Sequence, residues 1–211
     1  RSVRGCLYPG SDPLSLLGRE TLGNMDILES LDPESYEPAT DLAYPETEFG
    51  QGLRQIAMLV KAQVGLEVAA IDLDGWDTHF AQGVSGGLMA NLMCELAAGL
   101  AAFHGDLYDH LGHLTVAVMT EFGRRASENG SLGTDHGHGG LVLLLGGNVV
   151  GGRVHGRWPG LAKGQLVGPG DLAVTTDYRD VLGEVCLKRL QNPALDEVFP
   201  GHKVSMKGLV L

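Results

Sequence analysis

The sequence predicts an α/β fold: a doubly wound, mainly parallel sheet with helices on both faces. Three observations predict it. Strand-like apolar runs at 67–73, 114–120 and 141–145 alternate with helical stretches whose apolar residues recur every three or four positions. The stretch 67–120 reads as strand, long helix, strand, which is the order of a right-handed βαβ crossover. Polar, chemistry-bearing residues gather just after these runs, where open parallel sheets bind ligands.

A chain of 211 residues, 44% hydrophobic and 19% charged, suits one globular domain, or one and a half. The net charge of −11 argues against a nucleic-acid partner. Most of that charge lies in the first fifty residues, which carry ten acids against three arginines. No apolar run approaches the roughly 18 residues that cross a bilayer, so no membrane span is expected. Arg1–Cys6 shows no apolar signal-peptide core. Cys6, Cys94 and Cys186 lack zinc-type spacing. The latter two sit in apolar helical patterns and read as buried small hydrophobes.

In chain order, residues 1–47 form an acidic, partly irregular lead-in, and 48–211 the α/β domain. Asp12-Pro13 starts a helix with Leu14, Leu17, Leu22 and Ile27 apolar, interrupted by Gly18 and Gly23. Asp32-Pro33, Glu37-Pro38 and Tyr44-Pro45 then punctuate an irregular segment. Glu48–Val64 is an amphipathic helix with Phe49, Leu53, Ile56, Ala57 and Val60 on one face, Thr47 as N-cap and Gly65 as stop. Glu67–Leu73 reads as a central strand, Gly86–Leu111 as a long core helix, and Leu114–Thr120 as the next strand. Leu141–Leu145 is a buried strand, followed by a Gly-rich loop with His155, Arg157 and Trp158. A short strand at Asp171–Thr175 leads to a last helix at 178–190, with Val181, Leu182, Val185, Cys186 and Leu190 inward. The tail Val198-Phe199-Pro200-Gly201 packs as an irregular lid.

The chemistry concentrates in two loops. Asp135, His136 and His138 place one carboxylate and two imidazoles within four residues, a ligand set that suits Zn, Mn or Fe. Asp77 and His79, just after strand 67–73 and Asp74, supply the same residue types. Two or more histidines count against calcium. Arg124 or Arg125 could grip an anionic ester in a fork, or clamp the Glu128 loop. Glu121 could be a ligand or could hold a histidine's other nitrogen. Trp76 is expected to brace its loop.

The motifs Gly75-Trp76-Asp77-Thr78-His79, Glu121-Phe122-Gly123-Arg124-Arg125, Gly133-Thr134-Asp135-His136-Gly137-His138-Gly139 and Thr176-Asp177-Tyr178-Arg179 come in order. Together they resemble a large, largely uncharacterised bacterial family of the alkaline phosphatase and sulfatase superfamily. Its members are usually exported by the twin-arginine route. The likeness spans about residues 40–201. It implies an alkaline-phosphatase-like fold with one or two divalent ions held by Asp77, His79, Asp135 and His136. It further implies a downstream histidine, His138 in preference to His155, and either Glu121 or Asp135 in the place after the second strand. Family members are about twice as long, so the resemblance makes this chain a C-terminal half. The missing N-terminal half, or another protein chain, is then a partner. The implied function is metal-dependent hydrolysis of small phosphate or sulfate esters in the periplasm or cell envelope, with Arg124 and Glu121 catalytic and no turnover from the 211 residues alone. The competing expectation is a non-catalytic envelope scaffold that keeps the fold.

Overall fold

The computed structural model describes residues 7–211; Arg1–Cys6, with the expectations resting on them, lie outside the described residues. Asp12 caps the first helix, α1 (Pro13–Ser30), by accepting from the Ser15 N–H, and Pro13 costs nothing at a position whose N–H has no helical partner. The helix runs straight through Gly18 and Gly23, and Leu14, Leu17 and Ile27 remain exposed.

The core forms where α2 (Glu48–Lys61) meets α3 (Leu88–Asp106). Thr47 caps α2, and Phe49, Leu53 and Ala57 are buried, with Ile56 and Val60 packed against them. The helix stops short of Gly65; Gln63, at φ 52°, is the first residue past its end with positive φ. From α3 come Ala102 and Phe103, with Leu107 just beyond. Gly99 permits the close approach, because a Cβ there would sit 2.6 Å from the Phe49 ring. The apolar stripe of α3 is core only in this second half. Leu88, Met93 and Cys94 are exposed, and Cys186 is half-buried, so neither cysteine is the buried hydrophobe expected. By length and composition α3 is apolar enough to cross a membrane. Counting unbroken apolar runs missed this, because Asn91 and Glu95 interrupt it.

Asp106 at the end of α3 ties the irregular lead-in to this core. Its fully buried carboxylate accepts from the Tyr36 and Tyr44 hydroxyls at 2.7 Å each, from the Ala39 N–H at 2.7 Å, and from Lys61 Nζ. Burial opposes ionisation, but these donors outweigh it and hold the carboxyl below its usual range. Burial and the same carboxylate push both tyrosine hydroxyls up.

The doubly wound parallel sheet is not the architecture. Among the described residues there are two small antiparallel sheets. In one, β1 (Val116–Val118) pairs with β4 (Leu143–Leu145); in the other, β2 (Gly123–Arg124) pairs with β3 (His136–Gly137). Val116 faces Leu145, Val118 faces Leu143, and Arg124 faces His136. The partners step inward along both arms to a tip where Asn129 N donates to Gly133 O at 2.9 Å. The four strands are therefore one long, interrupted hairpin, and a chain that reverses on itself pairs antiparallel. The 67–73 segment, expected to be its parallel neighbour, joins no ladder. It lays Ile71 and Leu73 on the helical core and leaves Leu66 and Val68 exposed. At 171–175 only Asp171 forms a bridge, to Arg125 and to Val167.

The last helix, α4 (Tyr178–Arg189), is capped by Asp177, and α5 (Leu195–Val198) follows. Its buried face is centred on Asp180, Val181, Gly183 and Glu184, while Leu190 is exposed. Glu184 has no exposed side-chain surface. It accepts from four successive backbone N–H groups, Lys207 (2.7 Å), Gly208 (2.9 Å), Leu209 (2.8 Å) and Val210 (3.3 Å), and from Lys188 Nζ (3.0 Å). Burial opposes the charge, yet these donors carry the carboxyl from 4.5 down to about 2. Asp180, accepting from Ser205 N and paired with Lys207 and His202, falls from 3.8 to about 2.

Both groups have folded pKa values below their unfolded ones. Their stabilisation is complete above about pH 4.5 and is lost as pH falls through about 2. Thermal melts followed by circular dichroism will show that loss. Glu184→Gln aims an amide N–H at N–H donors and lowers stability by about 3 kcal/mol at neutral pH. It also flattens the acid slope.

Candidate metal centre

The hairpin tip and the loop after Leu73 are hydrogen-bonded edge to edge. Thr134 N donates to Thr78 O at 3.3 Å, Ala81 N to Ser131 O at 3.0 Å, and Gln82 N to Leu132 O at 3.0 Å. Gln82 Oε1 accepts from Thr78 Oγ1 at 3.0 Å and from Thr134 Oγ1 at 2.7 Å, one from each side of the seam. Asn129 shapes the tip: its Oδ1 accepts from the N–H groups of Ser131 and Gly133, and its Nδ2 donates to His79 O. At Gly133 a Cβ would lie 2.3 Å from His79 C and O and 2.4 Å from Thr78 O, so only glycine allows the two backbones this close.

This seam sets Asp77 and His79 beside His136. Asp77 Oδ1 lies 2.8 Å from His136 Nε2 and 3.2 Å from His79 Nε2. One ligand atom from each of the three falls within 4.8 Å of the other two, and this is the group among the described residues that could hold a metal ion. The two imidazoles are 4.7 Å apart between centroids, and Phe122 stacks on His136 at 3.9 Å, fixing its plane. The side chains of Asp77, His79 and His136 are 61%, 45% and 48% exposed, so the group opens to solvent. The His136 hydrogen bond, helped by the His79 and Arg124 charges, holds the Asp77 carboxyl below its usual range.

Asp135 stands behind this group rather than in it. Its Oδ1 is 3.4 Å from Nδ1 of His79, the nitrogen turned away from Asp77. Asn129 Nδ2 and Arg125 NH1 each reach Asp135 at 3.0 Å. The Asn129 hydrogen bond leads, with His79 and Arg125, in depressing the Asp135 carboxyl. A carboxylate on the far nitrogen of a metal-binding imidazole is a common outer partner that fixes its tautomer.

The remaining expected residues divide as follows. His138 lies outside the three-residue group, with Nδ1 2.6 Å from Asp171 Oδ2. Glu121 is exposed and belongs to neither set of contacts. Arg124 donates to the Trp76 and Thr134 carbonyls, approaches Asp77 Oδ1 at 3.3 Å and lies over the Phe122 ring. It clamps the two sides of the seam together. His155 pairs with the Val150 carbonyl, and Trp76 is half-buried. The motifs did not single out Gln82, Asn129 or Asp171. Asn129-Gly130 is a turn dipeptide that could have been read as the hairpin tip; Gln82 and Asp171 carry no local signal.

Gly133→Ala is expected to push the seam apart, costing about 2 kcal/mol by overpacking against backbone. Chemical denaturation will measure the cost.

A family model described as "Protein of unknown function (DUF1501)" matches residues 25–183. No curated protein and no solved structure matches the chain. The matched stretch contains the whole seam, both ligand-bearing loops and Asp171. The chain belongs to the DUF1501 family.

Proposed function

We propose that this chain holds one divalent transition-metal ion, zinc, manganese or iron, through Asp77, His79 and His136, and that the centre hydrolyses phosphate or sulfate esters. The observation that carries it is the convergence of one carboxylate oxygen and two imidazole nitrogens at an open surface. The donors fit such an ion: they are the mixed oxygen and nitrogen set it prefers, and three protein ligands leave a position free for water or substrate. An ion bound there supplies Lewis acidity toward an ester oxygen and makes water a better nucleophile at neutral pH.

The chain's own residues prepare that site. Asp135 fixes His79 through Nδ1 and so turns Nε2 toward Asp77. Asn129 and Arg125 hold Asp135 in turn, and Phe122 holds the plane of His136. Arg124 keeps the two loops together. Its guanidinium is taken up by its own chain, so in this reading it gives the site its shape and one positive charge beside Asp77. The ester class and an envelope location rest on the likeness of the four motifs to exported members of the alkaline phosphatase and sulfatase superfamily. A second reading, a non-catalytic envelope scaffold, draws support from that same engaged guanidinium, which leaves no free fork for an anion.

Elemental analysis of the purified protein is expected to find one such ion per chain. Asp77→Asn and His79→Ala should each weaken zinc binding at least tenfold in calorimetric titration. A screen of aryl phosphates and sulfates with the full-length gene product separates the two readings. Metal-dependent turnover supports the hydrolase; an ion with no turnover supports the scaffold.

A further inference from the structure

We infer that Asp171 is a positioning residue for this centre, acting on His79 through Arg125 and Asp135 and holding His138 on the loop that carries His136. The inference rests on the metal reading above. Asp171 lies far from the ligand motifs in sequence, and its side chain is 4% exposed. Oδ2 takes the hydrogen bond from His138 Nδ1 at 2.6 Å. Oδ1 faces Arg125 Nε across 3.7 Å, and both of those atoms are buried without a hydrogen bond. A carboxylate this buried is retained only with charged or hydrogen-bonding partners, and here they are His138, two residues past the ligand His136, and Arg125, which holds Asp135. The backbone around it is already fixed: Asp171 bridges to Arg125 and to Val167, and Ala126 N donates to Gly170 O at 3.1 Å. The carboxylate is therefore not needed to hold its own segment in place.

Two arms run from it. In the first, a carboxylate only accepts hydrogen bonds, so His138 carries a proton on Nδ1, and the neutral ring presents Nε2 as a lone pair. That ring is 80% exposed. His138 lies two residues past His136, at the bend that ends β3. In the second arm, Asp171 faces Arg125, Arg125 NH1 binds Asp135, and Asp135 faces His79 Nδ1. One buried charge thus sets the orientation of an imidazole on each loop.

The test uses the whole chain and two readouts. In the ion-free protein at about pH 8, where an ordinary imidazole is neutral, nitrogen-correlated NMR reads each histidine tautomer. His138 should be the Nδ1–H form, and in Asp171→Ala should revert to the Nε2–H form usual for a free imidazole. Cobalt(II) titration should show a 10- to 100-fold loss of affinity in Asp171→Ala, about that of an outer-sphere partner. The visible spectrum should shift, with circular dichroism unchanged. An Nε2–H His138 in the unmutated protein overturns the inference and needs no variant. So does a variant with unaltered affinity and spectrum, and in that case the Asp77–His79–His136 centre stands. If the unmutated protein takes up no ion, the metal reading falls and the inference falls with it.

Discussion

Two carboxylates removed from water, Asp106 and Glu184, hold this chain together where other folds use a sheet. A buried carboxylate must find donors, and it accepts several at once. Asp106 gathers two tyrosine hydroxyls, a backbone N–H and a lysine, and so fastens the lead-in to α2 and α3. Glu184 gathers four successive N–H groups of the C-terminal tail, the number that helix ends leave unsatisfied. A third buried carboxylate, Asp171, faces His138 and Arg125 of the hairpin from a segment that backbone bridges already hold there. Asp106 and Glu184 replace ladder hydrogen bonds with points of convergence, which lets long irregular segments take defined positions.

The same economy builds the candidate centre. No long strand or helix presents its residues. A loop and a hairpin tip are joined by three backbone hydrogen bonds, one bridging glutamine and a glycine without which the two could not meet. Asp77 and His79 ride on one side and His136 on the other. Behind them, Asp135, Arg125 and Asp171 form a chain of alternating charge that ends in the protein interior. The ligand atoms are exposed while the last member of the chain is buried, so a rigid interior is coupled to an open surface.

Local signals were legible in the sequence and long-range pairing was not. Asp12 and Thr47 cap the helices that their positions foretold, because a cap is written in adjacent residues. The face of α2 followed from its 3.6-residue period. The ligand loops were found because Asp, His and Gly cluster there. The sheet failed for a physical reason: the runs 67–73, 114–120 and 141–145 are apolar enough for buried parallel strands, yet periodicity says nothing of which strand pairs with which. The chain between the last two runs is long enough for a crossover, but Asn129 and Gly133 turn it into a hairpin. On α4 the pattern places Val181 inward correctly but foresees neither Glu184 nor the exposure of Leu190, because an inward glutamate is rare and pattern reading places aliphatics inside. Asp171 was invisible because its role depends on residues 33 and 46 positions away, which no local motif encodes.

The central claim is that two imidazoles and one carboxylate, drawn from separate loops, share one ion. X-ray absorption at the zinc edge of the loaded protein tests it most directly. The account requires a first shell with two histidine nitrogens and oxygen ligands at about 2.0–2.2 Å, and loss of one nitrogen in His79→Ala. An all-oxygen shell, or one that His79→Ala leaves unchanged, would contradict it.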